Sequence, residues 1–218
     1  TGMIPTLKSM NSSSLDVTIT GSLIIGDDFD KAMKNDTIRA EIVGLPISMI
    51  ILLFVFGTFT AAVLPLVIAL LMIALATAIS YWMSDWWFFG LTEYSVSMIS
   101  LIGIAVSIDY SLFMISRFRE EIAKGESTEN AIATMMDTAG RAVMFSGATV
   151  AVGLCSLFYF DATHMPSMGM GAFLAVGAAM LYSFTVLPAI LSYLGHKINS
   201  LPVPIPGANR KSDFWKRL

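Results

Sequence analysis

Asp109, Tyr110 and Ser146 are the residues of this chain best placed to do chemistry. Asp109 is the one acid between Tyr94 and Phe118, a stretch that is otherwise uncharged until Arg117 and long enough to cross a bilayer. An ionisable group at the centre of a membrane helix costs about 2.5–3.5 kcal/mol on insertion scales, so such groups face a protein interior, find a partner and mark proton or ion routes. Tyr110 adds a phenol that can donate to a carboxyl on another helix, and Ser146 adds a hydroxyl that can donate to the Asp109 carboxylate. Depth favours the second pairing. Asp109 lies eight residues from Arg117, roughly 12 Å, and Ser146 five from Arg141, roughly 7.5 Å, at 1.5 Å per residue. Both runs are entered from the same basic side. A bond from Ser146 back to its own helix carbonyl is an equally weighted alternative.

A carboxyl, a phenol and a hydroxyl inside an apolar bundle suit proton transfer rather than hydrolysis. An intramembrane aspartyl protease needs two facing acids, and only Asp109 lies within a span, so no enzyme is expected. His164 and His196 stand apart from each other and from Cys155, the sole cysteine, so no metal site and no other cofactor is expected. Cys155 reads as a small packing residue within a span. The chain has no phosphate loop of the G-x-x-x-x-G-K-[ST] kind, which removes ATP as its energy source, and no nucleic-acid partner is expected.

The elements that must position these residues follow from composition. The chain is 56% hydrophobic and 13% charged with a mean hydropathy of +0.73, too little polar surface for a soluble domain of this size. Five runs are long enough to span: Ile42 to Phe59, Ala61 to Met83, Tyr94 to Phe118, Ala142 to Phe160 and Met168 to Leu194. The first two form one apolar block, too long for a single span, that must fold back near Gly57-Thr58-Phe59-Thr60. Arg117, Arg119, Lys124, Arg141, Lys197, Arg210, Lys211, Lys216 and Arg217, nine of the thirteen basic residues, fall on one side, which the positive-inside rule makes cytoplasmic. The opposite connections, Ser84 to Glu93 and Asp161 to Ser167, carry no Lys or Arg. The first has Trp82, Trp86, Trp87, Phe88, Phe89 and Tyr94 about it, as an aromatic belt does.

An inner-membrane, multi-pass protein with its amino end outside and its carboxyl end in the cytoplasm results. An outside amino end with no preceding span and no initiator Met suggests a chain that starts partway through a larger protein. Residues 1–40 are expected to be the edge of an extracytoplasmic α/β domain plus a connecting helix. Within them Leu15, Val17 and Ile19 alternate with polar residues as a strand does, and Asp27-Asp28 opens a helix that feeds the first span. Residues 41–197 form the bundle, and 198–218 a linker and the start of an interfacial helix at Phe214 to Arg217. The third span should run on as a charged helix, with Arg117 paired to Glu121 and Glu120 to Lys124, and stop at Gly125. A short helix capped by Ser127 or Thr128 should follow, turn Ile132, Met135 and Met136 to the membrane or bundle, and end at Gly140.

Small residues recur every four positions as Gly103, Ser107, Ser111; as Gly147, Ala151, Cys155; and as Gly171, Ala175, Ala179, Ser183. Such stripes let helix backbones approach closely in lipid, and ordinary bundle packing is their preferred explanation. Asp109, with Ala105 and Phe113, falls on the opposite side of its helix and so addresses a different neighbour.

The run Ser107-Ile108-Asp109-Tyr110-Ser111-Leu112-Phe113-Met114-Ile115-Ser116-Arg117-Phe118-Arg119-Glu120-Glu121, followed by Gly140-Arg141-Ala142-Val143-Met144-Phe145-Ser146, resembles the mycobacterial membrane protein large (MmpL) family of the resistance, nodulation and division (RND) transporters. The resemblance covers about residues 20 to 197. It implies a proton-driven exporter of lipids or other hydrophobic compounds with twelve spans in two similar halves, this chain holding spans two to six, and working as a monomer or homotrimer among membrane lipids. It also implies that Asp109 and Tyr110 pair crosswise with a similar pair in the second half to carry protons, with Ser146 close to that relay. The chain departs from the family at Ala105, Val106 and Ser107, near which a Gly is common. A reading of another class is a five-span sensor or scaffold like the sterol-sensing domains, which has no need of a protonatable acid at mid-membrane.

Overall fold

The computed structural model describes residues 22–84, 93–160 and 164–203. The expected strand at Leu15 to Thr20, most of the aromatic loop after Trp82 and the expected interfacial helix at Phe214 lie outside them. Among the described residues there is no strand, only an isolated antiparallel bridge between Thr58 and Pro202. The described residues are all-α and form five helical columns long and apolar enough to cross a membrane.

Helix α1 (Ser22–Phe56) continues without a break from the polar stretch into the first span. Gly57, at φ +65°, supplies the positive φ that lets the chain reverse. Helix α2 (Phe59–Ser84) then returns along it, as the single apolar block required. Helix α3 (Glu93–Ala123) carries Asp109. It stops in a Schellman turn, where the amide of Glu126 donates to Glu121 O at 3.2 Å and that of Gly125 (φ +91°) to Ile122 O at 3.1 Å. Ser127 caps α4 (Thr128–Met135) by accepting from the amide of Asn130 at 3.2 Å.

Gly140 does not end that helix. A π-helical turn, Met136–Gly140, carries α4 straight into α5 (Arg141–Cys155), giving one column from Thr128 to Tyr159. Gly140 sits at helical angles with the Phe184 ring close over it, so here its missing side chain serves packing rather than termination. The fifth column, α6 (Met165–Phe184) and α7 (Val186–Leu194), is interrupted at Thr185. Pro188 is the physical cause, because it cannot donate to the carbonyl four residues before it.

Helices α2, α3 and α6 form the centre, with Met72, Ile99, Met114, Ile115, Ala175 and Ala179 fully buried between them. Helix α1 and the α4–α5 column are peripheral. Only 6% of the apolar window of the first column and 11% of that of the fourth is buried, against 44% for the third. Met135 and Ala131 of α4 are fully enclosed, so the short helix packs on the bundle.

Helices α3 and α6 pack along two of the small-residue stripes. The Ser95 hydroxyl donates to Ser167 O at 3.0 Å, and a Cβ on Gly171 would collide with the Ser95 backbone. Ser107, Ser111, Ala175, Ala179 and Ser183 are all sealed in this seam. The third stripe is different: Gly147 abuts Met180, but Cys155 is exposed. The packing role expected of Cys155 fails because α5 gives way to a 3₁₀ turn at Ser156 and, among the described residues, nothing covers that side.

Candidate functional site

Asp109 projects from the face of α3 turned away from the α6 seam. With Ala105 and Phe113 it is exposed in this chain, and no Lys, Arg or His among the described residues pairs with it. It forms a ridge between two shallow clefts. One, of about 280 Å³, lies between α1 and α3 and is lined by Glu41, Gly44, Ser48, Ala105, Ile108 and Asp109. The other, of about 270 Å³, lies between α3 and α5 and is lined by Asp109, Tyr110, Phe113, Ala142, Val143 and Ser146.

Tyr110 is buried (8% exposed) and lines the cleft between α3 and α5 together with Asp109 and Ser146. The matched depths of Asp109 and Ser146 thus do bring the two helices together at this level. The Ser146 hydroxyl, however, makes no hydrogen bond to the Asp109 carboxylate. Neither does Ser146 bond back to its own helix, as Thr149 does to Phe145 O at 2.8 Å. A carboxylate, a phenol and a hydroxyl thus line one cleft.

Glu41, which the sequence reading does not single out, lines the same cleft as Asp109. Its spacing from Gly44 and Ser48, which put all three on one side of α1, is the signal that marks it.

Toward the basic end, α3 carries a second polar cluster. Glu121 is buried and accepts from Arg117 Nη2 at 2.8 Å and Lys124 Nζ at 2.7 Å, while Glu120 pairs with Arg117 Nη1 at 2.7 Å. Arg117 and Glu121 pair as expected. Lys124 does not go to Glu120, because the enclosed carboxylate of Glu121 takes both cations and leaves Glu120 to Arg117. Arg117 Nε also donates to Thr138 Oγ1 at 3.3 Å, which ties the π-helical turn to α3, and Arg141 pairs with Asp137 at 2.5 Å within the α4–α5 column. His164 stacks on Tyr94 at 4.5 Å between ring centroids, a packing role, and His196 is exposed in the turn after α7.

The chain is similar to known proteins over nearly its whole length. It is 38% identical over 203 residues to the mycolic acid-containing lipids exporter MmpL11 of Mycolicibacterium smegmatis, 91% of this chain and 21% of that protein. It is 34% identical over 199 residues to the trehalose monomycolate exporter MmpL3 of the same organism, 91% of this chain and 19% of that one. The putative membrane protein SCO6666 of Streptomyces coelicolor is 35% identical over 182 residues, 84% of this chain and 26% of its own. The chain thus spans about a fifth to a quarter of the length of these relatives. The model of the MMPL family matches residues 5–218, and the chain, with five membrane-length helices among its described residues, belongs to that family.

Proposed function

We propose that this chain is part of the membrane motor of a proton-driven lipid exporter, with Asp109 as the proton carrier. The observation that carries the reading is a mid-helix carboxylate on an open face of α3, without a cation among the described residues, beside a phenol and a hydroxyl. The names of two relatives, exporters of mycolic acid-containing lipids and of trehalose monomycolate, support a lipid cargo over a sensor role.

In this reading Asp109 takes a proton from the extracytoplasmic side and releases it on the side of the Arg117 to Arg141 loop, which is cytoplasmic. Tyr110 presents its phenol to whichever carboxyl faces it, and Ser146 orients that phenol. The open face of α3 receives a matching half-bundle with its own acid. Because a proton crossing the potential gains about 2.3 kcal/mol per 100 mV, and each protonation state prefers a different arrangement of the two bundles, proton flow becomes movement of one half against the other.

The test is Asp109→Asn in the full-length transporter reconstituted in lipid vesicles. It keeps the shape of the side chain and fixes it neutral, so gradient-driven export of a fluorescent acyl lipid and proton uptake should both vanish while expression and insertion stay normal. In the wild type only a gradient acid on the side away from the Arg117 to Arg141 loop should drive export. Near wild-type, gradient-dependent export by Asp109→Asn would return the chain to the sensor reading.

A further inference from the structure

We propose that Arg119 is the mechanical coupler between the proton-carrying helix and α1. The inference rests on the proton-driven reading above and names the device that passes movement on. Arg119 leaves α3 ten residues beyond Asp109, roughly 15 Å along the helix. Its Nη1 donates to the carbonyl of Phe56 at 2.8 Å, and its Nε donates to Asn199 Oδ1 at 2.7 Å. The guanidinium carbon also lies 5.5 Å from the centroid of the Phe56 ring, which is itself buried.

Phe56 is the last residue of α1, whose final carbonyls have no partner within the helix. A cation at that position both satisfies one of them and suits the negative end of the helix dipole. One side chain of α3 therefore grips the end of α1 and the end of the α6–α7 column together. The grip is reinforced around it. The turn after α1 is sewn to the segment after α7 by Phe59 N to Leu201 O at 3.1 Å, Val203 N to Gly57 O at 3.0 Å and Thr60 Oγ1 to Ser200 O at 3.2 Å.

Away from this knot little of the apolar stretch of α1 is enclosed by the rest of this chain, 6% against 44% for α3. A helix of 35 residues is roughly 50 Å long, so a tilt of about 5° at a pivot near Phe56 carries the Ser22 end through about 4 Å. A small shift of α3 at Asp109 is thereby enlarged at the far end of α1. Arginine suits the task because its planar fork reaches two acceptors at once, which the point charge of a lysine does not.

The experiment uses the full-length protein with spin labels at Lys34 of α1 and Met165 of α6, after Cys155→Ser, and measures the distance between them at neutral and acid pH. Proton uptake and export of the fluorescent acyl lipid are measured on the same variants. Wild type should show a distance change on acidification. Arg119→Ala should lose that change and lower export at least about tenfold, the scale of two lost charge-assisted bonds, while proton uptake continues. Arg119→Lys and Asn199→Ala, each sparing part of the grip, should fall between and remain informative if Arg119→Ala does not fold.

If these variants keep the wild-type distance change, or if their proton uptake and export fall in parallel, Arg119 is not the coupler, although Asp109 can still be the carrier. If Asp109→Asn keeps driven export, the proton-driven reading itself falls.

Discussion

Helix α3 has two faces that obey different rules. On one, Gly103, Ser107 and Ser111 are sealed against neighbouring helices so tightly that a Cβ on Gly103 would collide with Met72. On the other, Ala105, Asp109 and Phe113 stand exposed above two clefts. Both faces come from one short sequence at positions two residues out of phase. The sealed face is finished by this chain alone, and its residues answer to packing. The open face is chemically furnished but unfinished, and its residues answer to whatever approaches it. Substitutions on the two faces should therefore separate stability from transport.

The largest effect is expected on the open face. Asp109→Asn should abolish driven export yet leave thermal stability in detergent unchanged or raised, since it removes a charge that no described group neutralises. A clear loss of stability would mean that the carboxylate has a structural partner, and the contrast between the faces would weaken.

The next effect belongs to the sealed face. Gly171→Ala forces a methyl into the Ser95 backbone, which cannot step aside, so a destabilisation of about 1–3 kcal/mol is expected. Gly103→Ala meets only the flexible end of Met72 and should cost less than about 1 kcal/mol. For both variants export per folded molecule should hold. Equal melting temperatures for the two would show that the seam is looser than its geometry.

Much of this arrangement was legible from residue order. Run lengths and the single glycine at Gly57 set the five columns and the reversal between the first two, because apolar length and positive φ are local properties. The meeting of α3 and α5 near Asp109 followed from counting back to Arg117 and Arg141. What the sequence hid depended on distant or competing partners. Gly140 is an equally good stop or packing residue until Phe184 is seen lying over it. Lys124 can reach Glu120 or Glu121, and burial of Glu121 decides between them. Arg119 looked like one more loop-side cation, since its acceptors are 63 and 80 residues away in the chain.

A smaller, open-face effect is expected at Ser146. In the proposed scheme the Ser146 hydroxyl orients the Tyr110 phenol across the cleft they share but carries no proton, so Ser146→Ala should cost at most the worth of one hydrogen bond, about 0.5–1.5 kcal/mol, and slow export two- to tenfold. Initial export rates at a fixed gradient measure this. A complete loss with normal expression would make the serine an obligatory member of the relay.

The smallest effect should come from within the seam. The hydroxyls of Ser107, Ser111 and Ser183 are buried without a hydrogen-bond partner, whereas that of Ser95 bonds Ser167 O at 3.0 Å. The 72-residue offset of the Ser95–Ser167 pair recurs where Gly103 faces Ala175, and it places Ser111 level with Ser183. Close backbone approach, not hydroxyl bonding, therefore holds the lower part of this contact. Ser183→Ala removes an unsatisfied polar atom and replaces it with a better helix former, so stability should stay level or rise by up to about 1 kcal/mol. Ser95→Ala, which deletes a made bond, should lower stability by a similar amount. Thermal unfolding of the two variants side by side tests this. A loss at Ser183 as large as that at Ser95 would show that the buried hydroxyl has found a partner across the seam, and that the sealed face is held by polar bonds along its whole length.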